Sequence, residues 1–482
     1  MKNAKLLKLL KVIGYILCFA QLTIGLITIG FVVKLDMVPV KYLLIAAGVL
    51  LVFTIIFAIL QRWLVPGLVT KVISVVMIAI MLIACLYLNF TYNKLAGMTG
   101  NKIQVDNIQV FVLVEDPAQS LADAKDYTYG TLALDVENTA LMVEDIQEQV
   151  GQAIVTSQYD SVLGMVQALY NQEIKAIILN TARINLITDT EGYEDFESRV
   201  RAISAKDIET EVAIDKDENF VKKGVFSIYI SGVDTRSTAN VNSNSDVNIL
   251  LTANLDTRQI LMISTPRDFY VPLSISNGVC DKLTHAGGYG IDVSADTLGM
   301  LYGIDVDDYI RINFTGFEHI IDILGGVEVY SDYNFTTDNY SFVVGSNYLN
   351  GAQALEFARA RHAFSDGDRQ RGKNQMKVIE AVLRKALSSE LLKNYTGILD
   401  SVSQYMITSM SYNEISELVK FQISDMQGWD IMQYSVNGSD ASSTTYSTGS
   451  QAVYVMIPDQ ATVDQAKQYL ADMYAGKRIT VN

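Results

Sequence analysis

Cysteine and histidine are scarce in this chain of 482 residues, with three of each. There is no CxxC pair and no Cys/His spacing suited to tetrahedral ligation, which leaves a zinc or iron-sulfur centre without ligands. Cys18 and Cys85 fall within apolar runs, so Cys280 is the single thiol of the polar remainder and no disulfide can form there within one chain. Cys280 reads as an ordinary buried small residue. His285, His319 and His362 are too scattered to share a metal, and only His362, beside a group of arginines, is a functional candidate. Basic charge is also short: 37 Lys and Arg against 53 Asp and Glu give a formal net charge of -16. Duplex binding depends on cations that neutralise phosphates, so nucleic acid is not expected as a partner.

Apolar residues are in excess, at 50% of the chain and a mean hydropathy of +0.21. Three runs concentrate them: Val12 to Val33, Tyr42 to Leu60 and Val72 to Phe90. Each is about long enough to cross a hydrocarbon core of ~30 Å at ~1.5 Å per residue. A cleaved signal peptide does not fit, because the first run is longer than an h-region and two more follow. Lys2, Lys5, Lys8 and Lys11 precede the first run, and Arg62 and Lys71 lie between the second and third. The positive-inside rule places both basic groups in the cytoplasm and everything after Asn89 outside. The expectation is a multi-pass cell-membrane protein whose large C-terminal portion is extracellular.

The pattern divides the chain into residues 1–97, three transmembrane helices; 98–223, an exterior accessory unit; and 224–482, a second exterior unit. The accessory unit alternates strands and helices, with "IQVFVLVED" and "IKAIILN" as strands and "TALMVEDIQEQVGQAIV" and "SVLGMVQALYN" as helices. Nothing in it has catalytic spacing, and its acids, spread over helix faces, read as solvated surface. The polar stretch from Asp207 to Gly224 reads as a linker.

The second unit starts with a buried strand, "VFSIYISGVD", that ends in Gly232 and Asp234. A hairpin follows, "SDVNILLTANLDTRQILMISTPRD", Ser245 to Asp268. With Asp256 and Thr257 at the turn, strand partners keep a constant sum of residue numbers, and Asp246 faces Arg267 at the open end. Directly opposed residues point to one face, and a plain ion pair there contributes roughly 0.2 to 1 kcal/mol.

Further on, "EFARARHAFSDGDRQRGKNQ" places Arg359, Arg361, Arg369 and Arg371 within thirteen residues of an acidic protein. Four guanidinium groups repel one another unless an anion or carboxylates gather them, and their forks match phosphate oxygens. Asp368 is the expected N-cap of the following helix, which puts Arg371 and Gln375 one turn apart near its positive end. Lys373 and Lys377 are expected in solvent. The helix face with Met376, Ile379, Val382 and Leu383 suits either an apolar channel or ordinary core. Thr315 and Glu318 stand at capping-box spacing ahead of a helix that Gly325 stops, and Gly287, Gly288 and Gly290 read as a tight turn rather than a nucleotide loop.

Four ordered segments, "GVDTRS", the hairpin, "INFTGFEHIIDILGGVEV" and the arginine-rich stretch, resemble the LytR-CpsA-Psr family over Gly224 to Leu387. The three spans and accessory unit ahead of them resemble its CpsA capsule branch. The resemblance implies an α/β fold whose catalytic unit has a central mixed sheet flanked by helices. It implies a magnesium-dependent phosphotransferase that moves a glycopolymer, most simply a capsular polysaccharide, from undecaprenyl pyrophosphate to peptidoglycan. Carried over by position, Asp234 and Asp246 lie near Mg2+, while Arg267, Arg359, Arg361, Arg371 and Gln375 surround the pyrophosphate. Arg236 and Arg369 are secondary candidates. Asp246 also accepts the proton of the attacking sugar hydroxyl. Expected partners are the lipid-linked polysaccharide, peptidoglycan, membrane lipid and other capsule-assembly membrane proteins. Hydrolysis of the polyprenyl pyrophosphate uses the same residues with water as nucleophile. A non-enzymatic regulator of capsule assembly gives the Asp/Arg cluster no role.

Overall fold

The computed structural model describes residues 2–98, 103–211, 220–233, 241–361, 363–364, 367–388 and 405–481. Three helices open the chain, Lys2–Leu35, Val40–Leu60 and Leu64–Met98, all long and apolar enough to cross a membrane. Only 11 to 17% of their most apolar windows is buried within the protein. So large an exposed apolar surface needs lipid to cover it, and the chain is a membrane protein on that ground.

The helix ends near Leu35 and Leu95 are attached to the rest of the chain. The Tyr412 hydroxyl donates to the Leu35 carbonyl at 2.6 Å, and Lys420 pairs with Asp36 at 2.8 Å. Leu35, Met37 and Leu95 form an apolar cluster with Met406, Ile415 and Val419, and Tyr92 meets Tyr412 edge-on. Helix Tyr412–Asp425 therefore holds the C-terminal unit against the membrane bundle.

A five-stranded mixed sheet follows, in the order Val155–Tyr159, Thr128–Leu132, Ala176–Asn180, Ile103–Leu113, Val200–Glu211. Helices Val136–Val150 and Val162–Tyr170 pack on it, and alternating side chains feed an apolar cluster on each face. Part of the expected linker is strand: Asp207 to Glu211 pair antiparallel with Ile103 to Asn107. At this sheet edge Ile208 alone is buried among Asp207 to Thr210, and the surrounding charges mask the alternation.

The second sheet has six strands, in the order Met406–Thr408, Asp308–Asn313, Val225–Val233, Val247–Asn254, Gln259–Ser264, Asp430–Ser435. It is mixed, as expected: Val225–Val233 runs parallel to Asp308–Asn313, Gln259–Ser264 parallel to Asp430–Ser435, and the other pairings are antiparallel. Helices Ile291–Tyr302 and Gln460–Tyr474 cover one face over Tyr229, Leu250 and Leu261. Helices Asp368–Ala386 and Tyr412–Asp425 cover the other over Ile249, Leu251 and Met262. With both faces buried, its central strands read as nearly continuous apolar runs, and each Leu or Ile so buried contributes about 1.5 to 3 kcal/mol.

Two local expectations shift. Helix Phe314–Ile323 is capped by Asn313, whose side chain accepts the Gly316 amide at 2.8 Å, instead of by a Thr315–Glu318 box. Strand and helix are joined there with no intervening loop, so the last strand residue is also the cap. Gly287 does lie in a tight turn, where a Cβ would stand 2.6 Å from the Ser243 carbonyl oxygen.

Candidate active site

The hairpin ladder runs from the Asn254–Gln259 pair to the Ile249–Ser264 pair, which is the constant-sum register. The turn is wider than two residues, Leu255 to Arg258, with Arg258 in the left-handed region at φ 53°. Widening by one residue on each side leaves the register unchanged. Beyond the ladder the Thr265 amide still donates to the Asn248 carbonyl, and Arg267 Nη1 donates to Asp246 Oδ1 at 2.7 Å. Asp268 Oδ2 lies 3.5 Å from Arg267 Nε, which makes no hydrogen bond, while Asp268 Oδ1 pairs with Lys282 at 3.1 Å. Burial favours a neutral Arg267, but Asp246, then Asp268 and Asp189, outweigh it and raise the guanidinium pKa above its ordinary value. Arg267 is therefore a permanent cation.

Arg267 and Asp246 open onto a cavity of about 930 Å³ whose lining also includes Arg359, Arg361, Arg371 and Gln375. Its remaining wall is largely apolar, with Ile230, Ile312, Phe317, Ile379, Val382 and Leu383. One helix supplies both characters. Along Asp368–Ala386, Arg371, Gln375, Ile379 and Leu383 recur every four residues, so a single face changes from charged to apolar away from the N-terminus. Met376, on a neighbouring face, is buried in the core under the sheet. Gly367, at φ 46°, is the N-cap, and Asp368 is the first helical residue rather than the cap.

The other arginines arrive on separate elements. Helix Gly351–Arg359 starts at an Asn350–Gln353 capping box and ends in Arg359, whose guanidinium lies 4.4 Å over the Phe314 ring. Arg369 is exposed and lines a small adjoining recess with Arg371 and Ser435. Lys373 is exposed, as expected, whereas Lys377 pairs with Asp332. Asp234, Arg236 and His362 lie outside the described residues.

Sequence reasoning passed over three groups at this site. Glu356 lines the cavity and accepts hydrogen bonds from Thr337 and Asn339. Phe314 supplies the face under Arg359. Asp189, from the accessory segment read as solvated surface, has its Oδ2 3.5 Å from Arg267 Nη2. No local spacing marks Asp189, because its role depends on how two units pack. Of the remaining polar groups, buried His285 shares a 2.6 Å Nδ1–Oδ1 contact with Asp281, far from any metal spacing, and Cys280 is partly buried.

Among the described residues no three His, Cys, Asp or Glu side chains gather as a metal cage. A hard divalent cation that shares phosphate oxygens needs only one or two carboxylates. Asp246, on the cavity wall with one oxygen turned to Arg267, is such a group, so the donor set fits a cation held jointly with a phosphate ligand.

The LytR_cpsA_psr family model matches residues 190–472. The chain belongs to this family. The match takes in the six-stranded unit, every described cavity candidate named above and only the last strand of the five-stranded sheet. Among curated relatives, a protein of Enterococcus faecalis named polyisoprenyl-teichoic acid--peptidoglycan teichoic acid transferase TagU is 33% identical over 229 residues, 45% of this chain and 75% of the relative. A Bacillus cereus protein of the same name is 29% identical over 252 residues, 52% and 80% of the two chains. The solved structure of B. subtilis TagV aligns with 25% identity and a TM-score of 0.45, over 53% of this chain and 99% of that one.

Proposed function

We propose that this protein is a membrane-anchored phosphotransferase that moves a glycopolymer, of capsular or exopolysaccharide type, from a polyprenyl pyrophosphate to peptidoglycan. The observation that carries the reading is the change in character along one cavity, from Asp246, Arg267, Arg359 and Arg371 to Ile379, Val382 and Leu383. A polyprenyl pyrophosphate has the same two parts. At about 930 Å³ the cavity is near the upper end of ordinary ligand pockets, roughly 300 to 1,000 Å³, which suits a long tail better than a bare anion. The names of the TagU relatives, which specify a polyisoprenyl-linked polymer and peptidoglycan, support the same substrate classes.

In this reading the arginines hold the pyrophosphate in a fixed geometry and offset the charge that builds on its oxygens as the ester forms. A sugar hydroxyl of peptidoglycan attacks the phosphorus that bears the glycan. The new P–O bond leaves the polymer joined through a phosphodiester, the bond to the second phosphate breaks, and polyprenyl phosphate departs with the electron pair. Asp246 takes the hydroxyl proton. Mg2+, which Asp246 and Asp234 would hold, supplies further neutralisation of phosphate charge when bound. The apolar wall keeps the tail out of water. Met406 belongs both to this wall and to the cluster with Leu35 and Leu95, so the cavity adjoins the membrane bundle from which such a lipid would come.

The test uses the full chain in liposomes with labelled glycan pyrophospholipid, peptidoglycan and magnesium. Label covalently attached to peptidoglycan is the expected product. Release of free glycan phosphate at the same rate with and without peptidoglycan would identify a hydrolase instead, and no turnover would leave the regulator reading.

A further inference from the structure

Three carboxylates surround the Arg267 guanidinium: Asp246 at 2.7 Å from Nη1, Asp268 at 3.5 Å from Nε and Asp189 at 3.5 Å from Nη2. The first two belong to the hairpin. Asp189 instead ends helix Ile184–Thr188, which packs on the five-stranded sheet, and lies just outside the family match.

Its position is fixed from both sides. Arg183, directly ahead of that helix, is buried, pairs with Asp135 at 2.8 Å and lies 3.7 Å over the ring of Tyr289 from the catalytic unit. Asn242 donates its side-chain amide to Asp106 at 3.1 Å and its backbone amide to the Val105 carbonyl at 3.0 Å, while Ser161 donates to the Thr448 carbonyl at 2.9 Å. These contacts clamp the two units together and hold Asp189 beside the site.

We propose that Asp189 is a positioning residue through which the five-stranded unit sets the affinity of Arg267 for pyrophosphate. An incoming phosphate oxygen needs a guanidinium edge, and each edge faces a carboxylate. The Asp189 side chain is 47% exposed, against 18% for Asp246 and 5% for Asp268. Displacing Asp189 returns its charge to water, whereas displacing either of the others strands a charge in a buried setting. Phosphate therefore enters at Nη2 and Asp189 yields. Its carboxylate holds the Nη2 edge of Arg267 until the ligand arrives and weakens the seat by like-charge repulsion, which favours release of the phosphorylated lipid product.

The inference rests on the pyrophosphate reading of the site, and the experiment separates the two. Inorganic pyrophosphate with magnesium is titrated against the full chain in nanodiscs, for the parent and for Asp189→Asn, Asp189→Lys and Asp189→Glu, with transfer kinetics and melting temperature measured on each. Binding should tighten about three- to tenfold for Asn, the scale of one solvated charge about 5 Å from the ligand. It should tighten further for Lys and return to the parent value for Glu. KM for the lipid donor should fall in the same order, with kcat changing much less. Unchanged or weaker binding in both Asn and Lys variants, with only the melting temperature affected, would reduce Asp189 to a structural contact. Arg267→Ala is the control: if it abolishes pyrophosphate binding while the Asp189 variants match the parent, this inference alone fails. If it too binds like the parent, the pyrophosphate seat is wrong.

Discussion

Asp246 and Arg267 are 21 positions apart in the chain and 2.7 Å apart in space, brought together by a ladder whose register is set at Asn254 and Gln259. Both side chains are about four-fifths buried, so the attraction between them is largely offset by the cost of taking both charges out of water. Their value lies in where they point, into a cavity with three further arginines.

Asp246→Asn is accordingly expected to melt within about 3 °C of the parent and to lose at least about a hundredfold in glycan transfer, since an amide keeps the shape but neither holds a hard cation nor accepts the hydroxyl proton. The double variant Asp246→Arg with Arg267→Asp should stay inactive, because it puts a guanidinium where the cation and nucleophile belong. Melting curves and transfer rates on the three proteins decide the matter, and an active charge swap would reduce the pair to a structural role.

Arg371 and Lys373 provide a comparison within one turn of helix. Arg371 lines the cavity and Lys373 is exposed to solvent. Arg371→Ala should lower kcat/KM about a hundredfold and Lys373→Ala less than about threefold. Equal losses would point to a diffuse basic surface in place of an anion seat.

The buried Asp281 accepts from the Ser447 amide at 2.8 Å as well as from the Ser447 hydroxyl, and contacts His285. Burial opposes its ionisation, but His285 and these hydrogen bonds prevail and hold its pKa below the ordinary carboxylate value. A carboxyl whose folded pKa is depressed adds stability that is present above the unfolded pKa and is lost as pH falls through the folded one. Asp281→Asn should therefore cost about 3 kcal/mol at neutral pH, and the gap from the parent in urea melts should shrink below about pH 4. A gap that is constant with pH would mean the carboxylate charge contributes nothing.

The legible part of this molecule was whatever is local. Apolar runs mark the membrane helices, alternation and turn residues set the hairpin register, and of four arginines in thirteen positions three line the cavity proposed as an anion seat. The capping of Phe314–Ile323 by Asn313 was missed because Thr315 and Glu318 offer the same spacing two residues later, and only the strand end decides between them. Strand Val200–Glu211 was missed at its polar end because an edge strand needs few apolar residues. Asp189 could not be found from its neighbours. Its proximity to Arg267 depends on Arg183 reaching Tyr289, 106 positions further along the chain in another unit, which no periodicity encodes.

Basic residues lie before the first span and between the second and third, and under the positive-inside rule we propose a topology with the N-terminus in the cytoplasm and both folded units outside. Protease added to intact protoplasts should then remove the mass beyond Met98, and protection of that mass would reverse the topology.

The apolar wall gives the last and most selective expectation. Ile379 lies one helical turn beyond Gln375, where the cavity lining changes from polar to apolar, and it is only partly buried. Ile379 lines the cavity and also rests against the core under the sheet, so Ile379→Trp should leave the fold intact at a cost of about 1 to 3 kcal/mol. The tryptophan would occupy the path of the polyprenyl tail and leave the arginines untouched. Transfer from a long-chain donor should fall at least about tenfold, mainly through KM, while binding of inorganic pyrophosphate and transfer from a donor with a ten-carbon tail stay near the parent. The contrast between tail lengths is decisive because damage to the anion seat would weaken all three measurements together. Equal losses for long and short donors would show that the cavity does not hold the tail.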